Sequence, residues 1–135
     1  MEGARSESGE ATLSIEVVES TESGSKMTVV PAALIRVVRG PNAGSTFALS
    51  VGSLEVGRHP ASGIFLDDIT VSRRHCVFEC SPQVETPTSE YLILVKDSGS
   101  LNGTYVNRKL ISSSELSNGD EIQIGRYVVV LETAS

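Results

Sequence analysis

Residues able to hold an anion stand at three places in this chain: Gly57-Arg58, Ser72-Arg73-Arg74-His75 and Ser98-Gly99-Ser100-Leu101-Asn102-Gly103-Thr104. An arginine guanidinium is a planar, permanently charged fork that matches a phosphate or a carboxylate. A serine hydroxyl can give its proton to a phosphate oxygen, and an asparagine amide can both donate to and accept from a peptide backbone. Arg58, Ser72, Arg73 and Asn102 together therefore suit a charged group carried on a polypeptide. Ser72, His75 and Asp97 also contain the elements of a hydrolase triad. No glycine-framed nucleophile elbow surrounds Ser72, however, and a histidine three residues later at a strand start is better placed to brace a loop. No set of His, Cys and acidic residues has metal-ligand spacing, and no glycine-rich nucleotide loop lies between a strand and a helix. Neither a metal nor a cofactor is expected. Asp67-Asp68 and Asp120-Glu121 read as turn and solubility residues.

Short apolar runs must position these groups. Leu54 and Val56 lead into Gly57-Arg58, the run 76–80 follows the second motif, and the run 91–95 precedes the third. Each motif thus falls where a strand meets a loop. Upstream, the β-branched run 34–39 ends at Gly40-Pro41-Asn42-Ala43-Gly44, a dense turn signal, and residues 45–49 return. Residues 59–63 form a loop because Pro60 bars a ladder and Gly63 relaxes the backbone. Residues 64–66 are a short strand. Residues 71–80 are expected as one strand carrying Ser72 to His75, and 81–89, with Pro82 and Pro87, as a long polar connection. Residues 91–96 suit a strand that is central or buried on both faces. Asn102-Gly103 reads as a hairpin turn, and residues 112–116 hold one helical turn at most. Short strands at 105–107, 110–111, 121–125 and 127–131 finish an all-β sandwich of about ten to eleven strands. Cys76 and Cys80 would lie about 13 Å apart along a strand, beyond disulfide reach. Both share a face with Phe78 and belong to the core.

Charge divides the chain in two. Its 135 residues carry a net charge of −6. Residues 1–31 hold six acids (Glu2, Glu7, Glu10, Glu16, Glu19, Glu22) against Arg5 and Lys26, and are rich in Ser, Gly and Thr. Such a composition cannot bury enough apolar surface to offset ordering, so 1–31 is expected as a disordered acidic regulatory tail. Residues 32–135 are expected as the folded domain. An acidic chain lacks the footprint of a nucleic-acid binder. The longest aliphatic run, Val128-Val129-Val130-Leu131, is too short to cross a bilayer, and from the polar N-terminus no secretory signal is expected. A cytoplasmic monomer fits this composition.

The three motifs in this order, with Asn107 and the Leu116-x-x-Gly119-Asp120-x-Ile122 segment, resemble the forkhead-associated (FHA) domain over residues 33–133. That resemblance implies a β-sandwich that binds phosphothreonine peptides. It makes Arg58 the main phosphate ligand and Ser72 the second, with Arg73 near the phosphate and Asn102 gripping the ligand main chain. Ser100 and Leu101 lie beside them. Many members have Thr where this chain has Leu101, so only its backbone or apolar body can contribute. Gly57, His75, Gly103 and Thr104 are implied as structural support.

Within the family, residues 40–44, 64–68, 71–75 and 99–107 look like a bacterial subgroup of the glycogen-accumulation-regulator or oxoglutarate-dehydrogenase-inhibitor type. That likeness implies a Ser/Thr protein kinase as a partner, and control of enzymes of 2-oxoglutarate and glutamate metabolism that ends when the tail is phosphorylated. Thr12 is the best-placed acceptor, with Glu10 before it and Ile15 three residues after, and Thr21 is the next. The subgroup's paired threonines are represented here by Thr12 alone. The competing expectations are a small Ser/His hydrolase using Ser72 and His75, and a phosphate-independent structural interaction domain.

Overall fold

Alternation of apolar and polar residues sets the first strand: in ALIRVVR, Ala33, Ile35 and Val37 are buried while Leu34 and Arg36 face outward. The same two-residue period recurs along the chain, as expected where one face of each strand meets the core. The computed structural model describes residues 31–83 and 91–133. The expected tail lies outside them except for Pro31, and so do Thr12 and Thr21 and most of the 81–89 connection.

Among the described residues there are eleven strands: β1 (Ala33–Arg39), β2 (Thr46–Leu49), β3 (Gly52–Gly57), β4 (Ile64–Phe65), β5 (Cys76–Pro82), β6 (Tyr91–Asp97), β7 (Thr104–Val106), β8 (Lys109–Ile111), β9 (Ser113–Glu115), β10 (Glu121–Ile124) and β11 (Tyr127–Thr133). They form a six-stranded sheet, β2-β1-β11-β10-β7-β8, and a five-stranded sheet, β4-β3-β5-β6-β9. Pairing is antiparallel except between β3 and β4. Ile35, Val37, Ile122, Ile124, Val129 and Leu131 of one sheet meet Val56, Phe78, Ile93 and Val95 of the other, all at 3% exposure or less. Burying each large aliphatic side chain is worth roughly 1.5–3 kcal/mol, so this seam is the main source of stability. The all-β sandwich is the expected architecture. Cys76 and Cys80 are buried and unpaired beside Phe78, as their strand position implied. Burial pushes the Cys76 thiol up to about 12, which leaves it inert as a nucleophile.

Several local expectations are corrected. The strand expected from residue 71 starts only at Cys76. The Ser72 and Arg73 carbonyls accept the N–H groups of Arg58 and His59, beyond the last β3–β5 ladder pair at Val56 and Cys76, so residues 71–75 form a loop. The connection expected at 81–89 is shorter, because Ser81 and Pro82 continue β5 opposite Leu92 and Tyr91. The β3–β5 pairing ends at Gly52 and Cys80, so Pro82 has a strand on one side only and its missing N–H breaks no ladder there. Strand β6 is central, between β5 and β9, but buries only Ile93 and Val95, so it is not covered on both faces. The helical turn expected in 112–116 is instead β9, a short polar edge strand of the kind that resists further pairing. Asn102-Gly103 is not a hairpin turn. The flanking strands β6 and β7 lie in different sheets, and residues 98–103 cross between them. The two-residue hairpin is Asn107-Arg108, between β7 and β8, with φ of 49° and 72°, the positive pair a type I′ turn requires.

Candidate functional site

The ends of β3, β6 and β10 and the starts of β5, β7 and β11 meet at one end of the sandwich, as their registers require: Val56 faces Cys76, Cys76 faces Asp97, and Ile124 faces Thr104 and Tyr127. Here Arg58 follows β3 directly. Its N–H donates to Ser72 O at 3.0 Å, and the His59 N–H donates to Arg73 O at 3.3 Å. This backbone seam holds Arg58, Ser72 and Arg73 together. Gly57 permits it: a Cβ at Gly57 would lie 2.0 Å from Arg73 O. Gly57→Ala must push the 72–73 backbone away. It should cost about 1–3 kcal/mol of stability, the usual penalty of overpacking. Urea unfolding checks this, and a fully stable Gly57→Ala variant would show that the seam is not tight.

His75 is completely buried and bridges two of the motifs. Its Nδ1 accepts the Ser72 N–H at 3.1 Å, and its Nε2 lies 2.8 Å from Gly103 O. A backbone N–H can only donate and a carbonyl can only accept, so the ring is neutral and protonated on Nε2. The triad is therefore not assembled. His75 does not face the Ser72 hydroxyl as a base, and Asp97 serves other partners.

The Ser72 hydroxyl accepts the Leu101 N–H at 3.0 Å, which ties the second motif to the third and leaves the hydroxyl proton without an acceptor among the described residues. The Leu101 side chain is 89% exposed, so its polar contribution is backbone only. Asn102 gives one amide N–H to Thr70 O at 2.9 Å, and its Oδ1 has no partner among the described residues. Arg58 and Arg73 are exposed and form no ion pair among the described residues. Arg74 points elsewhere, lining a depression with Ser53, Glu55 and Glu79.

Ser100, expected beside the ligand, lines a surface depression with Leu101 and Asn102, and its hydroxyl is engaged within the loop. It donates to Asp97 Oδ1 at 2.5 Å and accepts the Gly103 N–H at 3.0 Å. Sequence reasoning gave Asp97 no part in holding this loop. Its carboxylate also accepts the N–H groups of Gly99 and Ser100 at 2.9 and 3.0 Å and the hydroxyl of buried Thr104 at 2.7 Å. The Asp-Ser-Gly-Ser order was a usable signal, since an aspartate commonly caps N–H groups two and three residues on. Burial opposes ionisation of Asp97, but the Ser100 and Thr104 hydroxyls and the Ser100 and Gly99 N–H groups hold its carboxyl below the ordinary aspartate range.

A carboxyl held low in the folded state stabilises the fold at neutral pH. That contribution is lost as pH falls from the ordinary aspartate value, 3.8, through the lowered one. The urea midpoint of the native chain should therefore drop as pH falls below about 4. Asp97→Asn should start lower at neutral pH and drop less. Parallel pH profiles for the two proteins would remove Asp97 from this role.

A second carboxylate, Asp68, holds the preceding loop and was also missed. It accepts the N–H of Thr70 at 2.9 Å, also accepts the Thr70 hydroxyl, and pairs with Arg126 Nε at 2.8 Å. The Thr70 hydroxyl, then the Thr70 N–H, then the Arg126 charge hold Asp68 below its ordinary range against the effect of burial. The Arg126 N–H donates to Thr70 Oγ1 at 3.0 Å, and a Cβ on Gly125 would lie 2.5 Å from that oxygen. The 66–74 loop is thereby clasped to the β10–β11 turn.

One end of this two-sheet domain gathers guanidinium, hydroxyl and amide groups on three braced loops, the equipment of a binding module. The FHA domain model matches residues 54–125, more than half of the chain, and the chain belongs to the FHA family. It is 47% identical over 129 residues to the "Oxoglutarate dehydrogenase inhibitor" of Corynebacterium jeikeium, covering 89% of this chain and 84% of that protein. It is 49% identical over 115 residues to "Glycogen accumulation regulator GarA" of Mycobacterium tuberculosis. That match covers 85% of this chain and 66% of the relative, just under two thirds of its length. Among solved structures, the FHA domain of MEK1 in complex with a HOP1 phosphothreonine peptide superimposes with a TM-score of 0.66 at 27% identity, over 78% of this chain and 100% of that one. No helix among the described residues is long and apolar enough to cross a membrane.

Proposed function

We propose that this chain recognises phosphothreonine in protein partners, as a signalling module in a Ser/Thr-kinase pathway. One observation carries the reading: the Ser72 hydroxyl is held by the Leu101 N–H with its proton free, between Arg58 and Arg73 that lack ion pairs among the described residues. A phosphate would supply the missing acceptor and counter-charge together. Asn102, anchored through one N–H, has Oδ1 and its second N–H left for the main chain of the bound segment. His75, Gly57, Gly103 and Thr104 hold these groups in place. The name of the Corynebacterium jeikeium relative supports oxoglutarate dehydrogenase as the kind of partner. The same proposal extends to other enzymes of 2-oxoglutarate and glutamate metabolism, and to a regulatory tail in which phosphorylated Thr12 or Thr21 occupies the same loops and displaces them.

Calorimetry with a phosphothreonine peptide and its unphosphorylated twin tests the central claim. Affinity in the micromolar range, about −8 kcal/mol, is expected for the first only. Equal binding of both peptides would instead point to a phosphate-independent interaction domain. For the tail, kinase-treated chain should lose peptide binding, and Thr12→Ala should restore it. If the double variant Thr12→Ala, Thr21→Ala is still shut off by the kinase, neither Thr12 nor Thr21 is the switch.

A further inference from the structure

We propose that Arg108, with Arg126 beside it, forms a second cationic subsite that takes a carboxylate side chain of the bound segment and gives the domain a preference for an acidic flank. This rests on the phosphothreonine reading above, since the subsite adjoins the same loops. An open groove of about 630 Å³ runs from Asn102 past Tyr105 and Gln123 to these two arginines. Its walls carry two cationic side chains and no acidic one, although the chain as a whole is acidic.

Arg126 is tied through Nε to the nearly buried Asp68, yet its side chain remains 61% exposed. Its remaining guanidinium nitrogens can still donate. Arg108 is exposed and makes no hydrogen bond or ion pair among the described residues.

Backbone geometry points the same way. Arg108 has a φ of 72° at the second turn position of the β7–β8 hairpin, the left-handed region where glycine is favoured. Asn107, the other turn residue, has a clear structural reason. Its N–H donates to Glu121 O at 2.8 Å, its amide reaches Asp120 Oδ1 at 3.0 Å, and its Oδ1 accepts the Glu121 N–H at 3.0 Å. These bonds lock the tip to β10. Arg108 sits on that rigid tip in a conformation that disfavours it, and contributes no bond to the fold. A strained residue with no structural partner, facing a groove, indicates a role toward a ligand.

A segment held by its main chain at Asn102 extends along this groove, and in an extended chain alternate side chains face one way. A glutamate or aspartate among them meets Arg108. The pair is exposed, so the expected gain is modest and sensitive to salt.

The test is fluorescence anisotropy with phosphothreonine peptides in which each of the four flanking positions on either side carries Glu, Ala or Lys in turn. With the native chain, Glu at one or two positions should bind about two- to fivefold tighter than Ala, and Lys weaker, as exposed ion pairs allow. The preference should fade in about 0.5 M salt. Arg108→Gly should abolish it, keep the affinity of the alanine peptide within about twofold, and melt at or above the native temperature because glycine is at ease at this φ. Arg108→Lys should retain part of the preference. Equal binding of Glu, Ala and Lys peptides by the native chain, or an undiminished preference in Arg108→Gly, overturns the subsite alone. Failure of every phosphothreonine peptide to bind overturns the phosphothreonine reading and the subsite with it.

Discussion

Replacing Arg58 with alanine is expected to weaken phosphothreonine-peptide binding roughly thirtyfold to several thousandfold, the equivalent of about 2–5 kcal/mol lost with one partner of a hydrogen-bonded charge pair. The fold should barely respond. The guanidinium makes no ion pair among the described residues, and the seam that matters, Arg58 N–H to Ser72 O, belongs to the backbone and survives truncation. Arg58→Lys should fall between the two, because lysine keeps the charge but cannot present two parallel donors to one phosphate. Calorimetry paired with a thermal melt separates affinity from stability. A folded Arg58→Ala variant that binds the phosphopeptide as tightly as the native chain would mean that the phosphate sits elsewhere. Ser72→Ala is a milder lesion in charge but not in shape, since it also leaves the Leu101 N–H without its acceptor.

The regular parts of the domain were legible because they rest on local alternation. Ala33, Ile35 and Val37 announce β1, and Cys76, Phe78 and Cys80 announce the inner face of β5. The gathering of Arg58, Ser72 and Asn102 was legible only as a pattern of motifs at strand ends. What failed was whatever depends on partners distant in sequence. Residues 71–75 look like the start of a strand, and only the bonds from Arg58 and His59 to the Ser72 and Arg73 carbonyls turn them into a loop. Ser113–Glu115 has no strand-like composition, and β6 alone recruits it as an edge through Leu94, Val95 and Lys96. Asn102-Gly103 carries a hairpin signature, but its flanking strands join different sheets. Asp68 was passed over for the same reason, and Asp97 although its Asp-Ser-Gly-Ser order offered a local signal. An aspartate in a loop is ordinarily a solubility residue, and these two are set apart by Arg126 and Thr104, 58 and 7 residues further on.

His75→Ala is expected to be the most damaging single change in the described residues at this site. The ring is fully buried, and both its nitrogens serve backbone groups that have no other partner in this set of bonds, the Ser72 N–H and the Gly103 carbonyl. Removal leaves a cavity and two unsatisfied polar groups. Each of those groups costs on the order of 1–3 kcal/mol when stranded, so a total of about 3–5 kcal/mol is reasonable. For a domain of this size that corresponds to a melting temperature lower by on the order of 15 °C or more. Peptide binding should fall with it, because the Ser72 loop and the Asn102 loop lose their common tie. Two conservative variants divide the role. Asparagine can place an oxygen near the position of Nδ1 and keep the Ser72 N–H satisfied, whereas glutamine can place an N–H near Nε2 and keep the Gly103 carbonyl satisfied. Amide exchange by NMR should therefore show the Ser72 amide protected in His75→Asn and exposed in His75→Gln, while the 101–104 segment shows the reverse. If His75→Ala melts like the native chain, or if both conservative variants loosen the two loops equally, the histidine is not the brace that joins them.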